Sequence, residues 1–119
     1  MSSRLIAVAV DCHHAEALAA FWREALGYPA TEHWTDGHGL TYVELKGPDR
    51  PSLLFQPVPE GKTTKNRLHL DLAPDTIEQR DEVERLVTLG AKVLADPEDE
   101  HWVVLADPEG NEFCVLPRR

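Results

Sequence analysis

The sequence predicts an α+β fold in which two tandem βαβββ modules form a curved mixed sheet around a cleft. Three observations carry this expectation. Strand-like and helix-like segments follow one another in the order β, α, β, β, β; that order occurs twice; and the two occurrences are offset by about 62 residues. The 119 residues suit a single domain spanning 1–119, with a first module at about 4–58 and a second at about 66–117.

The first module opens with Leu5 to Val10, a run with the composition of a strand. Ala15 to Leu26 then carries Leu18, Phe21, Trp22, Ala25 and Leu26 at helical spacing and stops at Gly27. Ala30 to Trp34, Leu40 to Leu45 and Ser52 to Gln56 read as three strands separated by Gly- and Pro-rich turns. Residues 57–66 show no apolar periodicity and form a connection. Beyond it, Arg67 to Leu72 predicts a strand. Asp75 to Leu89 predicts a helix, with Asp75 and Glu78 placed as a capping box and Gly90 as its stop. Lys92 to Ala95, His101 to Leu105 and Glu112 to Leu116 complete the second copy. Val8 and Val10 match Leu70 and Leu72, and Leu26-Gly27 matches Leu89-Gly90.

Composition narrows the function classes. Twelve Lys and Arg against 21 Asp and Glu leave a net charge of −9, which repels a phosphate backbone and excludes nucleic acid as the expected partner. The acidic excess suits either a cationic ligand or an ordinary cytoplasmic surface. No apolar run approaches the roughly 20 residues of a membrane span, so a cytoplasmic protein without a membrane partner is expected. Cys12 and Cys114 are far apart and show no CxxC spacing, which points to reduced thiols.

Alternate strand residues share a face. Ile6, Val8 and Val10 are thus expected toward the first helix, and Leu68, Leu70, Leu72, Phe113 and Val115 toward the second. The opposite face, a cavity wall, receives Leu5, Ala7, Ala9, Asp11, Ser52, Leu54 and Gln56 from the first module. From the second it receives Arg67, His69, Asp71, Glu112, Cys114 and Leu116. This wall is small or polar rather than evenly apolar, which leaves room for a ligand.

Several motifs carry a resemblance: Ala20-Phe21-Trp22 followed by Ala25-Leu26-Gly27-Tyr28, then His69-Leu70-Asp71-Leu72, and Asp107-Pro108-Glu109-Gly110-Asn111 before an apolar strand. Over nearly its whole length the chain resembles the vicinal oxygen chelate superfamily, which includes glyoxalase I, fosfomycin and bleomycin resistance proteins and extradiol dioxygenases. It is most similar to the small glyoxalase-like proteins of that group. The resemblance implies a small-molecule ligand and a homodimer. In metal-dependent relatives, side chains from the first and last strands of each module hold a divalent ion. By that resemblance His69 falls on the second-module histidine, Cys114 on the last-strand glutamate, Leu54 or Gln56 on the first module's last-strand ligand, and Ala7 on the first-strand ligand. Alanine has no donor atom. A metal set would therefore be His69, Cys114 and Gln56, holding Zn, Ni, Mn or Fe, against a leading expectation of no cofactor.

The remaining candidates each have two readings. His69 beside Asp71 is either a general base tuned by a carboxylate or a histidine satisfied within the sheet. Arg67 pairs either with an anionic group on a ligand or with Asp71 or Glu112. Trp34 either stacks on a planar ligand or marks a surface turn, and Trp102 lines a rim or packs on the second helix. His13-His14 reads as a solvated loop, and residues 96–100 as a solvated acidic one. The ligand-binding expectation comprises Arg67, Gln56, Trp34, Trp102, Cys114 and Glu112, with His69 and Asp71 as the catalytic pair. The leading function is a cleft that binds or sequesters a small organic ligand. Its alternatives are a metal-dependent lyase or isomerase, akin to lactoylglutathione lyase and acting through an enediolate, and a dimerising module without a ligand.

Overall fold

Strand β1 (Ala7–Cys12) leads into helix α1 (Ala15–Leu26), then β2 (Ala30–Thr35), β3 (Thr41–Lys46) and β4 (Ser52–Pro57). The order repeats as β5 (Asp71–Leu72), α2 (Gln79–Leu89), β6 (Lys92–Ala95), β7 (Val103–Ala106) and β8 (Glu112–Val115). The computed structural model describes residues 1–119. Two compact units, Met1–Gly61 and Lys62–Arg119, each hold one four-stranded sheet and one helix. The sheets have strand orders β1-β4-β3-β2 and β5-β8-β7-β6. In each, the first strand pairs parallel with the last and the other pairs are antiparallel. The chain thus adopts the α+β architecture that the repeated pattern implies.

In the first unit α1 buries Leu18, Phe21, Trp22 and Ala25, spaced to share one helical face, and the adjoining sheet buries Val43, Leu45, Leu53 and Phe55. Gly27 ends the helix in the left-handed region at φ 68°, where its N–H reaches the Arg23 carbonyl at 2.8 Å. Arg50 donates to the carbonyls of Leu26 and Gly27, both at 3.0 Å, and its guanidinium lies 4.0 Å from the centre of the Tyr28 ring. A cation is thereby placed on the negative end of α1.

The second unit packs Leu86 of α2 with Leu105, Phe113 and Val115, all essentially inaccessible. The Gln79 amide donates to the carbonyls of His101 and Val115, fastening the start of α2 to the sheet. Asp107, only 4% exposed, organises the turn into β8. Its Oδ1 accepts the N–H groups of Glu109 and Asn111, and the Asn111 amide adds bonds to both carboxylate oxygens. Gly110 completes the turn at φ 90°.

Strands β2, β3 and β4 differ from expectation by one residue at one or both ends, and five other elements differ as follows. The expected strand from Arg67 shrinks to Asp71–Leu72: by the register Asp71↔Cys114 the start of β8 at Glu112 leaves Arg67 and Leu68 without partners, and the chain just before them is held instead by the Glu112 carboxylate on the Asn66 N–H. Leu68 is consequently 86% exposed instead of facing α2. The same holds for β1: its partner starts at Ser52, opposite Ala7, so Leu5 and Ile6 project beyond the ladder and are exposed. Helix α2 starts at Gln79, with no side-chain cap from Glu78 and no capping box. Thr76 and Ile77 are β-branched and disfavour a helical start, and Arg118 holds the Thr76 carbonyl and the Glu78 carboxylate in a different arrangement. β7 starts at Val103, leaving His101 and Trp102 outside it, because its partner β6 ends at Ala95 before Pro97. β8 ends at Val115, one residue earlier than expected, although the Leu116 N–H still reaches the Leu72 carbonyl at 2.7 Å.

Candidate functional site

Short as it is, β5 sets the geometry of the second unit's polar cluster. The Cys114 N–H donates to the Leu70 carbonyl at 2.9 Å, and the parallel register then places Asp71 beside Cys114. Alternation puts Leu72 and Val115 in the core and leaves Asp71 and Cys114 on the other face. His69, two residues before Asp71, brings its Nδ1 to 3.3 Å from the Asp71 Oδ1. The ligating atoms of His69, Asp71 and Cys114 all lie within 4.8 Å of one another. Burial pushes the Cys114 thiol up from its ordinary pKa, and the Asp71 carboxylate pushes it further by its charge and by a hydrogen bond. The free side chain is therefore a thiol at neutral pH. With Nδ1–H donated to Asp71, the lone pair of His69 sits on Nε2, where it can accept a proton.

Glu112 and Arg67 are not part of this cluster. The Glu112 carboxylate accepts the Asn66 N–H at 2.9 Å and pairs with Lys62 at 3.0 Å. These contacts, the Asn66 bond first, hold its carboxyl below the usual carboxylate range. Its work is to anchor the connection before β5. Arg67 is exposed and pairs with neither Asp71 nor Glu112, whose carboxylates are taken by His69 and by Lys62 with Asn66. Trp102 is 37% exposed and meets His101 edge to face at 5.5 Å.

The other candidates lie in the first unit. Ala7 pairs with Ser52, and Gln56 of β4 pairs with Asp11 of β1. Trp34 stacks on Tyr42, with ring centres 4.3 Å apart and planes 16° from parallel. The His13 and His14 rings meet edge to face with centres 6.3 Å apart; His13 Nε2 bonds to the Glu60 carbonyl at 2.9 Å, while His14 lines an open depression of about 410 Å³ with Glu16, Thr41 and Pro57.

One participant, Tyr42, escaped sequence reasoning, and Asp71, expected there as the partner of His69, also takes a place among the donor atoms. The signal available was its place two residues after His69, on the same strand face. Tyr42, the partner of Trp34, follows only from the β2–β3 register, which the sequence does not state.

A profile of the glyoxalase-like domain matches residues 7–116, nearly the entire chain. The chain belongs to the glyoxalase-like domain family. It thereby joins the vicinal oxygen chelate superfamily, as the motifs around His69 and Asp107 imply. No curated protein matches this glyoxalase-like chain. Among solved structures, it is similar to a glyoxalase/bleomycin resistance protein/dioxygenase family enzyme from Burkholderia phytofirmans PsJN. That match has 19% identity and a TM-score of 0.66, covering 95% of this chain and 97% of the other. Glyoxalase I from Leishmania major matches at 16% identity and a TM-score of 0.69, covering 97% and 86%. The E126Q mutant of the fosfomycin resistance protein FosX from Listeria monocytogenes matches at 13% identity and a TM-score of 0.75, covering 100% and 95%. That structure is a complex with Mn(II) and 1S,2S-dihydroxypropylphosphonic acid. At these identities the likeness is one of fold.

The FosX complex raises the question of whether this glyoxalase-like chain has side chains suited to an ion. Tetrahedral zinc, with bonds of about 2.0–2.3 Å, needs donors about 3.3–3.8 Å apart. The His69–Asp71 contact of 3.3 Å meets that spacing, and all three donor atoms fall within 4.8 Å. Imidazole, carboxylate and thiolate together suit a borderline divalent ion. The residue types fit, once the grouping contracts by about 1 Å and the Cys114 and His69 Nδ1 protons are given up on binding.

Proposed function

We propose that this glyoxalase-like protein binds a small organic ligand, using His69, Asp71 and Cys114 as the polar anchor of its second unit, without the complete family metal set. The observation that carries this reading is the convergence of three unlike side chains with little structural duty. His69 and Asp71 have side chains 43% and 53% exposed, on the face of the sheet turned from the core. Asp71 orients the imidazole, so Nε2 can accept a hydrogen bond or a proton from a bound hydroxyl, or from carbon next to a carbonyl. The Cys114 thiol donates to Asp71 and steadies the carboxylate. Ala7, which supplies no donor in the first strand, supports the incomplete set.

A second reading, a metal-dependent lyase or isomerase of the glyoxalase I type, is favoured by the 4.8 Å grouping. A bound divalent ion would supply Lewis-acid polarisation of ligand oxygens. His69, Asp71 and Cys114 would hold it. We further propose that the protein is a homodimer and is cytoplasmic, in keeping with two free cysteines.

One experiment separates the two readings. The protein and its His69→Ala variant are equilibrated with Zn, Ni, Mn and Fe(II), dialysed exhaustively and analysed for metal. In parallel, both are screened by thermal shift against small carbonyl and diol compounds. Saturable stabilisation lost in His69→Ala, with no retained ion, is the expected result. An ion retained at near one per chain and lost in the variant would move the assignment to the lyase reading.

A further inference from the structure

The face of the first sheet turned away from α1 carries side chains that its folding does not require. Contact between His33 and Glu16 of α1 assigns His33 to the helix side, so Trp34 and Glu32 occupy the opposite face. Register then arranges that face in rows. Asp11 lies beside Gln56, the antiparallel pairing of Val43 with Phe55 carries Tyr42 to Gln56, and Tyr42 faces Trp34. In the adjoining row Glu44 lies directly opposite Glu32.

Two features of this face are unexplained by stability. Like charges directly opposite one another weaken a sheet, yet Glu32 and Glu44 are so placed, with Lys46 relieving only Glu32 at 3.6 Å. The stack of Trp34 on Tyr42 uses one face of the indole, while Trp34 remains 44% exposed. Tyr42 is itself braced: its hydroxyl donates to the Asp36 Oδ2 at 3.0 Å, and the Asp36 Oδ1 is held by the N–H groups of His38 and Leu40. The result is a fixed aromatic platform with carboxylates Asp11, Glu32, Glu44 and Asp36 around it and one ammonium among them. A residue and its same-face neighbour are about 7 Å apart along a strand. That span matches the reach from one ring of a fused heterocycle to a charged centre on another.

From this juxtaposition we infer that this face of the first unit takes a planar organic cation, stacked on the open face of Trp34 with its positive charge directed to Glu44. The inference goes beyond the small-molecule reading above, giving the first unit a ligand site of its own. Indole is the best aromatic partner for a cation, and the half-buried Glu44 beside it adds charge complementarity that a neutral ring does not engage.

The test uses N-methylacridinium as the probe and N-methylacridone as its neutral, planar counterpart, with fluorescence titration of the intact protein. Saturable binding of one acridinium per chain is expected, at least about tenfold tighter than the acridone, with Trp34→Ala and Glu44→Gln each weakening it by about tenfold. Trp34→Phe should restore part of the loss. Glu98→Gln, in the acidic loop of the second unit, should leave binding unchanged. The inference fails if the acridone binds equally well, if acridinium does not saturate, or if Glu98→Gln weakens binding as much as Glu44→Gln, the mark of non-specific attraction to a chain of charge −9. Circular dichroism of each variant separates these outcomes from misfolding. Failure here, with His69-dependent binding intact in the thermal-shift screen, sinks the cation assignment alone; loss of all small-molecule binding sinks both.

Discussion

Asp71 stands between two side chains that it affects in different ways: it accepts from His69 at 3.3 Å, and it adds its charge and a hydrogen bond to the burial that raises the pKa of the neighbouring Cys114. Asp71→Asn is therefore expected to lower the Cys114 pKa and raise its rate of iodoacetamide alkylation at pH 8, read by mass spectrometry. Buried Cys12 is the internal control. Because folding raises this thiol's pKa, its contribution to stability is present below the unfolded value and is lost as pH rises through the folded one. Unchanged reactivity in Asp71→Asn would remove Asp71 from the account of Cys114.

Glu112 has the opposite linkage. The Asn66 N–H and Lys62 lower its folded pKa, so its contribution is present above the unfolded carboxylate value and is lost as pH falls through the folded one. Urea unfolding from pH 7 to pH 3 should show this decline. Glu112→Gln should cost about 1–2 kcal/mol at pH 7 and flatten the acid limb.

The Asp107 turn should matter more. Asp107→Ala removes the acceptor of several N–H groups from a buried position and should destabilise the fold by about 2–3 kcal/mol in chemical unfolding. Gly110→Ala places a Cβ where φ is 90° and should also destabilise, by roughly 1 kcal/mol.

Leu68 and Leu72 should separate sharply. Leu68→Ser, at a site 86% exposed, should change stability by less than about 0.5 kcal/mol. Leu72→Ala, at a site 8% exposed, should cost about 2–4 kcal/mol. Similar costs at the two sites would overturn the shortened β5.

Much of the architecture was legible because it rests on local rules. Helical spacing from Leu18 to Ala25, the stop at Gly27, the turn at Asp107 and the alternation that separates Leu72 from Asp71 all follow from neighbouring residues. Strand ends depend on where a distant partner begins, and no residue near Leu5 announces that β4 starts at Ser52, opposite Ala7. The same reason explains the candidate site. His69 and Cys114 could be found from spacing and resemblance, whereas the Asp71–Cys114 adjacency and the Trp34–Tyr42 stack arise from register between strands. The pairing of Arg67 with Asp71 or Glu112 is not found because those carboxylates are claimed by His69 and by Lys62 with Asn66.

The brevity of β5 bears on motion as well as on shape. A strand that gives two residues to its ladder is tied by few main-chain bonds, and the chain from Arg67 to His69 that feeds it has no strand partner. Such a segment opens at a free energy well below that of global unfolding, so its amide protons should exchange early while those at the centre of β3 and β7 persist. His69 is thus mounted at a fraying border. Any molecule that joins His69 to Cys114 would splice that border to the interior of the sheet, and its arrival would be recorded in the backbone as slowed exchange.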